Sequence, residues 1–238
     1  PCAAGRPPRR FASAAVLASN RPMTKPSPAT PSRRPRASSQ ARIRQILSSA
    51  RELLAEQGAA TLSVYAVAER AGIPPSSVYH FFSGVPALLA ALTADVHATF
   101  RDSLEQPIDH QSLSSWRDLS RLIEQRMLGV YEQDSAARQL ILVQHGLGEV
   151  TQTDQRLDLE LGQAMQAVFE RHFALPPLPQ DIDVFAMAVE LGDRVYARSI
   201  QLYGSLTPRM AEEGLRVFDA YLGLYLPPCL PKRETPNH

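Results

Sequence analysis

Cysteine is almost absent from this chain. Its two copies among 238 residues, Cys2 and Cys229, lie in proline-rich ends, so a structural disulfide is not expected and a reducing cytoplasm fits. Long apolar runs are missing too. No stretch approaches the roughly twenty residues that a helix needs to cross a bilayer, and the run at residues 12–18 is too short and too mildly hydrophobic for a secretory signal. The chain also has no Gly-rich phosphate loop, no Gly-x-Ser-x-Gly elbow and no closely spaced His or Cys pair for a metal. Its six histidines are scattered, and Asp154 and Asp158, which share a helix face, stand beside Gln155 and Arg156 and read as solvated surface. Neither catalysis nor a metal or other cofactor is therefore expected.

Acidic residues are absent from the first 38 positions, which hold eight prolines and eight Lys/Arg. Such a segment cannot bury enough apolar surface to offset the entropy of ordering, so residues 1–38 are expected to be a disordered basic extension. The chain begins with Pro1, and Met23 precedes the folded region at a natural distance, which makes residues 1–22 upstream translation in this reading. The formal net charge of +1 conceals an asymmetry. Residues 1–84 carry twelve Lys/Arg against three Asp/Glu, whereas residues 85–238 carry thirteen against twenty-one. A basic N-terminal part suits a partner built of phosphates.

What is present is helical pattern. Ile43, Ile46, Leu47, Ala50, Leu53 and Leu54 fall on one stripe of a helix over residues 43–57, which Gly58 stops. Ser63 is placed to cap a second helix whose apolar face is Val64, Val67, Ala68 and Ala71. Gly72 ends that helix, and Pro75 opens a third, over residues 75–82. The link between the second and third is about four residues, short enough to make them cross steeply, so the unit reads as a helix-turn-helix. In the third helix Val78, Phe81 and Phe82 can pack inward while Ser76, Ser77, Tyr79 and His80 face out, as short donors and acceptors that can reach phosphates and base edges. A plain polar surface is the alternative reading of the same four residues. The third helix contains no Lys or Arg, so the contacts that release counterions must come from elsewhere, and Arg33, Arg34, Arg36, Arg42 and Arg44 are the nearest supply. The first three belong to an arm suited to the backbone or minor groove or, alternatively, to a merely solubilising tail.

Arg44-Gln-Ile46-Leu47-x-x-Ala50, Gly58, Ser63, Val67-Ala68-x-x-Ala71-Gly72-Ile73, Val78-Tyr79 and Phe82-x-x-x-x-x-Leu88 resemble the N-terminal DNA-binding pattern of the TetR-type bacterial transcription regulators. The resemblance covers residues 39–99. It implies that Ser63, Tyr65, Ser76, Ser77, Tyr79 and His80 touch DNA. Three positions depart from the family pattern: Pro74 replaces a serine or threonine cap, Ser76 a frequent glycine, and Val85 a lysine that contacts a phosphate.

Beyond residue 86 the sequence reads as further helices over residues 86–105, 112–133, 135–145, 150–173, 181–203 and 208–226, separated by proline, glycine and Asp134. The expected fold is all-α with about nine helices: a helix-turn-helix domain at 39–99, a helical effector-binding and dimerisation domain at 100–228, and a flexible tail at 229–238. The resemblance implies that the last two long helices form a homodimer interface. The apolar series Val184, Ala188, Leu191, Val195, Leu202 and Leu215, Phe218, Leu222, Tyr225 suit it, and equally suit packing inside one subunit. It also implies a small-molecule pocket among the middle helices, for which Trp116, Met127, Tyr131, His145, Met165, Phe169 and Tyr196 are candidates or, alternatively, plain core.

The function expected is a regulator that binds double-stranded DNA, most simply a repressor on a palindromic operator released by a small effector. The alternative is a helical small-molecule or protein-binding module whose helix-turn-helix no longer holds a specific operator.

Overall fold

Ser63 shows how this chain starts its helices. Its extended backbone leaves the hydroxyl free to accept the Ala66 amide at 3.1 Å, which opens α2 (Val64–Arg70). Asp134, Asp183 and Thr207 cap later helices in the same way, and Asp118 accepts the amides of Ser114 and Ser115. The computed structural model describes residues 37–143 and 148–234, with side chains from 155 onward in the second span. The chain divides into Pro1–Pro35 and Arg36–His238, and all described residues belong to the second unit. Residues 1–36 with Arg33, Arg34 and Arg36, together with His145 and the Asp154 side chain, lie outside the described residues, whereas Ala37 and Ser38, expected in the disordered extension, are helical.

Nine α-helices run through the described residues. α1 (Ala37–Gln57), α2 and α3 (Pro75–Phe81) precede α4 (Val85–Leu104), α5 (Trp116–Gln133), a single turn α6 (Ser135–Ala137), α7 (Gly148–His172), α8 (Val184–Tyr203) and α9 (Pro208–Leu222). No strand is present among these residues, only one isolated bridge between Phe173 and Lys232. α1 begins six residues ahead of its apolar stripe, because none of residues 37–42 is buried and burial periodicity has nothing to mark there. Gly72 turns the chain between α2 and α3 with φ +63°, a left-handed conformation that suits glycine.

The expected helix at residues 135–145 takes a different form. After α6 the backbone widens into a π-helix over Arg138–Val143. Leu140, Ile141 and Leu142 are all buried there.

One apolar core runs through both parts of the unit, from Ile46, Leu54, Val67 and Val78 through Leu88 and Phe100 to Trp116, Phe169, Phe185 and Phe218. Arg51 on α1 also reaches Asp95 of α4 at 2.6 Å and Asp134 ahead of α6, tying the first helix to both. No single described helix is long and apolar enough to cross a membrane. The tail expected to be flexible is instead bonded back onto the end of α7 as far as Arg233, because Arg233 and Pro231 exchange backbone hydrogen bonds with His172 and Ala174. Residues 235–238 lie outside the described residues.

Candidate nucleic-acid interface

α3 is anchored by one side chain and presents the rest. Val78 is fully buried, Phe82 just beyond the helix is buried, and Phe81 is half-buried with His80 edge-on to its ring at 4.9 Å. Ser76, Tyr79 and His80 are exposed and Ser77 is half-buried, so the outward row expected from the sequence exists. Tyr65 on α2 is also exposed, at 67%. Ser63 is half-buried and uses its oxygen as the α2 cap, leaving its hydroxyl hydrogen as what it can offer a phosphate.

A cleft of about 380 Å³ separates α3 from the start of α1, with Ser38, Ser39 and Arg42 on one side and Ser76, Ser77 and His80 on the other. Arg42 is thus brought beside the outward row, whereas Arg44 is exposed on α1 outside this cleft. Arg70 is bound to Glu56 at 2.6 Å and Arg51 to its two aspartates. Among the described residues Arg42 and Arg44 form no ion pair, which leaves both charges for an anion.

Gln45 is the residue that sequence reasoning missed. Its amide donates to the Ala71 carbonyl at 2.7 Å and its oxygen accepts from Arg42 at 3.0 Å, so it links the turn to the arginine. The signal was a polar residue directly beside the apolar stripe of α1. Val85, where the family pattern carries lysine, is half-buried against the core and supplies no charge.

The six candidate ligand residues that are described are all buried side chains. Trp116 is buried at the start of α5, with its indole N–H on the Pro227 carbonyl at 2.9 Å and the Arg117 guanidinium 4.3 Å from its ring centre. Met165 and Phe169 are fully buried on α7, and Phe169 meets Phe185 of α8 edge-on at 4.9 Å. Met127 is buried on α5. Tyr131 and Tyr196 do meet, with ring centres 6.1 Å apart, and Tyr131 also borders a cleft of about 420 Å³ between α1, the π-helical turn and the α8–α9 turn.

Acids surround the two tyrosines. Tyr131 donates to Asp193 at 2.8 Å, Tyr196 donates to Glu124 at 2.5 Å, and Ser120 donates to Asp219. Burial pushes the Glu124 carboxyl up to about 7, opposed by the Tyr196 hydroxyl and reinforced by Asp219. Burial likewise raises Asp219, while Ser120, Arg117 and Arg121 pull it back. Glu124 could have been found in the sequence as a charge on the buried stripe of α5, between Ile123 and Met127. Asp158, expected on a solvated surface, is buried and stands 3.8 Å from His97, because α7 turns that face toward α4.

Of the expected interface residues, Leu191, Val195, Leu215 and Tyr225 are half-buried and Leu202 is 52% exposed. Phe218 and Leu222 are instead core residues of the single chain, fully buried because the apolar stripe of α9 packs inward. Val184 and Ala188 are buried as well.

Residues 46–92 match the family described as bacterial regulatory proteins, tetR family. No curated protein matches the sequence. The fold is similar to a TetR-family transcriptional regulator from Streptomyces coelicolor, at 23% identity and a TM-score of 0.59, covering 78% of this chain and 99% of that one. A TetR regulator from Rhodococcus sp. RHA1 is similar at 20% identity and a TM-score of 0.60, covering 78% and 97%. The multidrug binding protein EbrR, complexed with imidazole, is similar at 19% identity and a TM-score of 0.54, covering 76% and 89%. The N-terminal domain of this chain is therefore that of the TetR family, and the chain as a whole has the fold of TetR-type regulators.

Proposed function

We propose that this protein is a transcriptional repressor that binds a palindromic operator as a homodimer and is released by a small-molecule effector. The observation that carries the reading is the outward row of Ser76, Tyr79 and His80 on α3, of which Ser76 and His80 share a polar cleft with Arg42, a residue in no ion pair. The row offers donors and acceptors to base edges, while Arg42, Arg44 and the basic segment at residues 33–36 supply the phosphate attraction that α3 lacks. One seven-residue helix reads too few base pairs for specificity, so two copies about one DNA turn apart are needed. The half-exposed Leu191 and Val195 and the exposed Leu202 on α8 are the apolar surface offered to the second copy. Effector release requires a ligand that binds more tightly to the conformation whose two recognition helices no longer match the groove spacing.

The test is a gel-shift titration on the DNA upstream of the protein's own gene, with unrelated competitor, at two salt concentrations. Retention should survive competitor. Tyr79→Ala should weaken operator binding by about tenfold or more, the scale of a lost base contact, while non-specific binding changes little. Deleting residues 24–36 should weaken binding to all sequences alike and flatten the salt dependence. Retention that vanishes with competitor would move the chain to the alternative, a helical binding module without an operator.

A further inference from the structure

Past α9 the chain turns back across its own fold. Leu226 is buried, and Pro227 accepts the Trp116 indole N–H. Further along, the Pro231 carbonyl accepts the Ala174 amide and the Arg233 amide donates to the His172 carbonyl, each at 2.9 Å. Lys232 completes the strap by donating its Nζ to the carbonyls of His110 at 2.9 Å and Leu113 at 2.7 Å. These bonds join the end of α7 to the connection between α4 and α5. At the same junction two imidazoles meet edge to edge in nearly parallel planes, His110 from the short 3₁₀ turn His110–Ser112 and His172 from the last turn of α7. Their centres are 5.2 Å apart, their planes differ by 18°, and the two Nδ1 atoms are 2.9 Å apart.

A bond between two Nδ1 atoms holds one proton. One ring donates and the other must offer a lone pair, so the contact exists only while at least one imidazole is neutral. We propose that His110 and His172 form an acid-sensitive clasp: a second proton breaks their hydrogen bond, sets two cations edge to edge and releases the strap at residues 227–234 from α7 and from the α4–α5 connection.

The surroundings favour release on acidification. Arg171 on α7, and Lys232 and Arg233 on the strap, are positive. Of the nearby acids, Glu105 at the end of α4 pairs with Arg171 at 3.6 Å, and Asp109 uses a carboxylate oxygen on the Gln111 amide. Burial, followed by the charges of His110, Arg171 and Lys232, holds His172 below the ordinary imidazole range. A base depressed in the folded state supports the fold fully above its ordinary value of about 6.5, and that support is lost as pH falls through the depressed value. The same cations argue against a divalent metal between the rings.

Amide hydrogen exchange on the full chain tests the clasp. Protection at Ala174 and Arg233 is expected to be constant above about pH 6.5 and to fall below it, by about tenfold per pH unit for each proton the opened strap takes up. The double variant His110→Asn, His172→Asn keeps a hydrogen-bonding amide on each side with nothing to protonate, and its protection should not vary with pH over the same range. Wild-type protection that stays constant down to about pH 5 overturns the clasp whatever the variant does. An equal fall in the double variant assigns the pH dependence to other groups and overturns it as well.

Discussion

Gly162→Ala is expected to destabilise the protein by about 2 kcal/mol or more, although alanine is the better helix former. Gly162 lies within α7 where it crosses the start of α8. A Cβ there would fall 2.4 Å from the Ala186 amide nitrogen and 2.7 Å from its Cα. Two effects compete. Alanine in place of glycine inside a helix contributes about 1 kcal/mol, whereas the clash is with backbone that cannot rotate aside. That same amide is capped by Asp183 at 2.8 Å, so displacing it also loosens the first turn of α8. The steric term should win. Gly129→Ala on α5, where nothing lies within 4 Å of the added carbon, is the control and should stabilise by up to about 1 kcal/mol. Urea unfolding of both variants measures the difference, and a Gly162→Ala protein as stable as wild type would contradict the close approach of α7 to α8.

The second large effect concerns pH. Glu124 is buried and its carboxyl is raised from 4.5 to about 7. A raised acid favours the folded state when protonated, so its contribution is full below about pH 4.5, falls as pH rises through 7, and then levels off. The shift corresponds to about 3 kcal/mol between those limits. Glutamine has nearly the same shape as the protonated acid, can still accept the Tyr196 hydroxyl, and does not titrate over this range. Glu124→Gln should therefore melt close to wild type at about pH 5 and well above it at about pH 8. If thermal unfolding shows the two proteins following the same pH profile, the carboxyl is not the group responsible.

The first of these effects depends on a feature that one residue's neighbours in sequence do not reveal, whereas Glu124 stands out as a charge on the apolar stripe of α5. The start of α2 was legible because Ser63 and the amide it caps are three positions apart, and the turn after it because Gly72 adopts φ +63°. α3 was legible for the same reason: its inward Val78 and outward Ser76, Tyr79 and His80 alternate within two turns. Gly162, by contrast, has no local mark, since only the path of α8 makes it necessary. The interface expected on α9 was half misread, because a helical stripe does not say what covers it, and the core of the same subunit covers Phe218 and Leu222. His110 and His172 stand 62 residues apart and looked like scattered histidines until the end of α7 met the α4–α5 connection.

By itself the sequence determined most of the helices, the Ser63 cap and the glycine stops, the helix-turn-helix and the segregation of basic charge toward it. These depend on hydrogen bonds and periodicities spanning a few residues, which any chain carries in its local order. The tertiary structure alone decided which stripe became core and which stayed open, which acids were buried beside tyrosines, and where the last residues return. Those outcomes follow from packing between segments distant in the chain, where burial, and with it the cost of a charge, is set by whatever arrives from elsewhere.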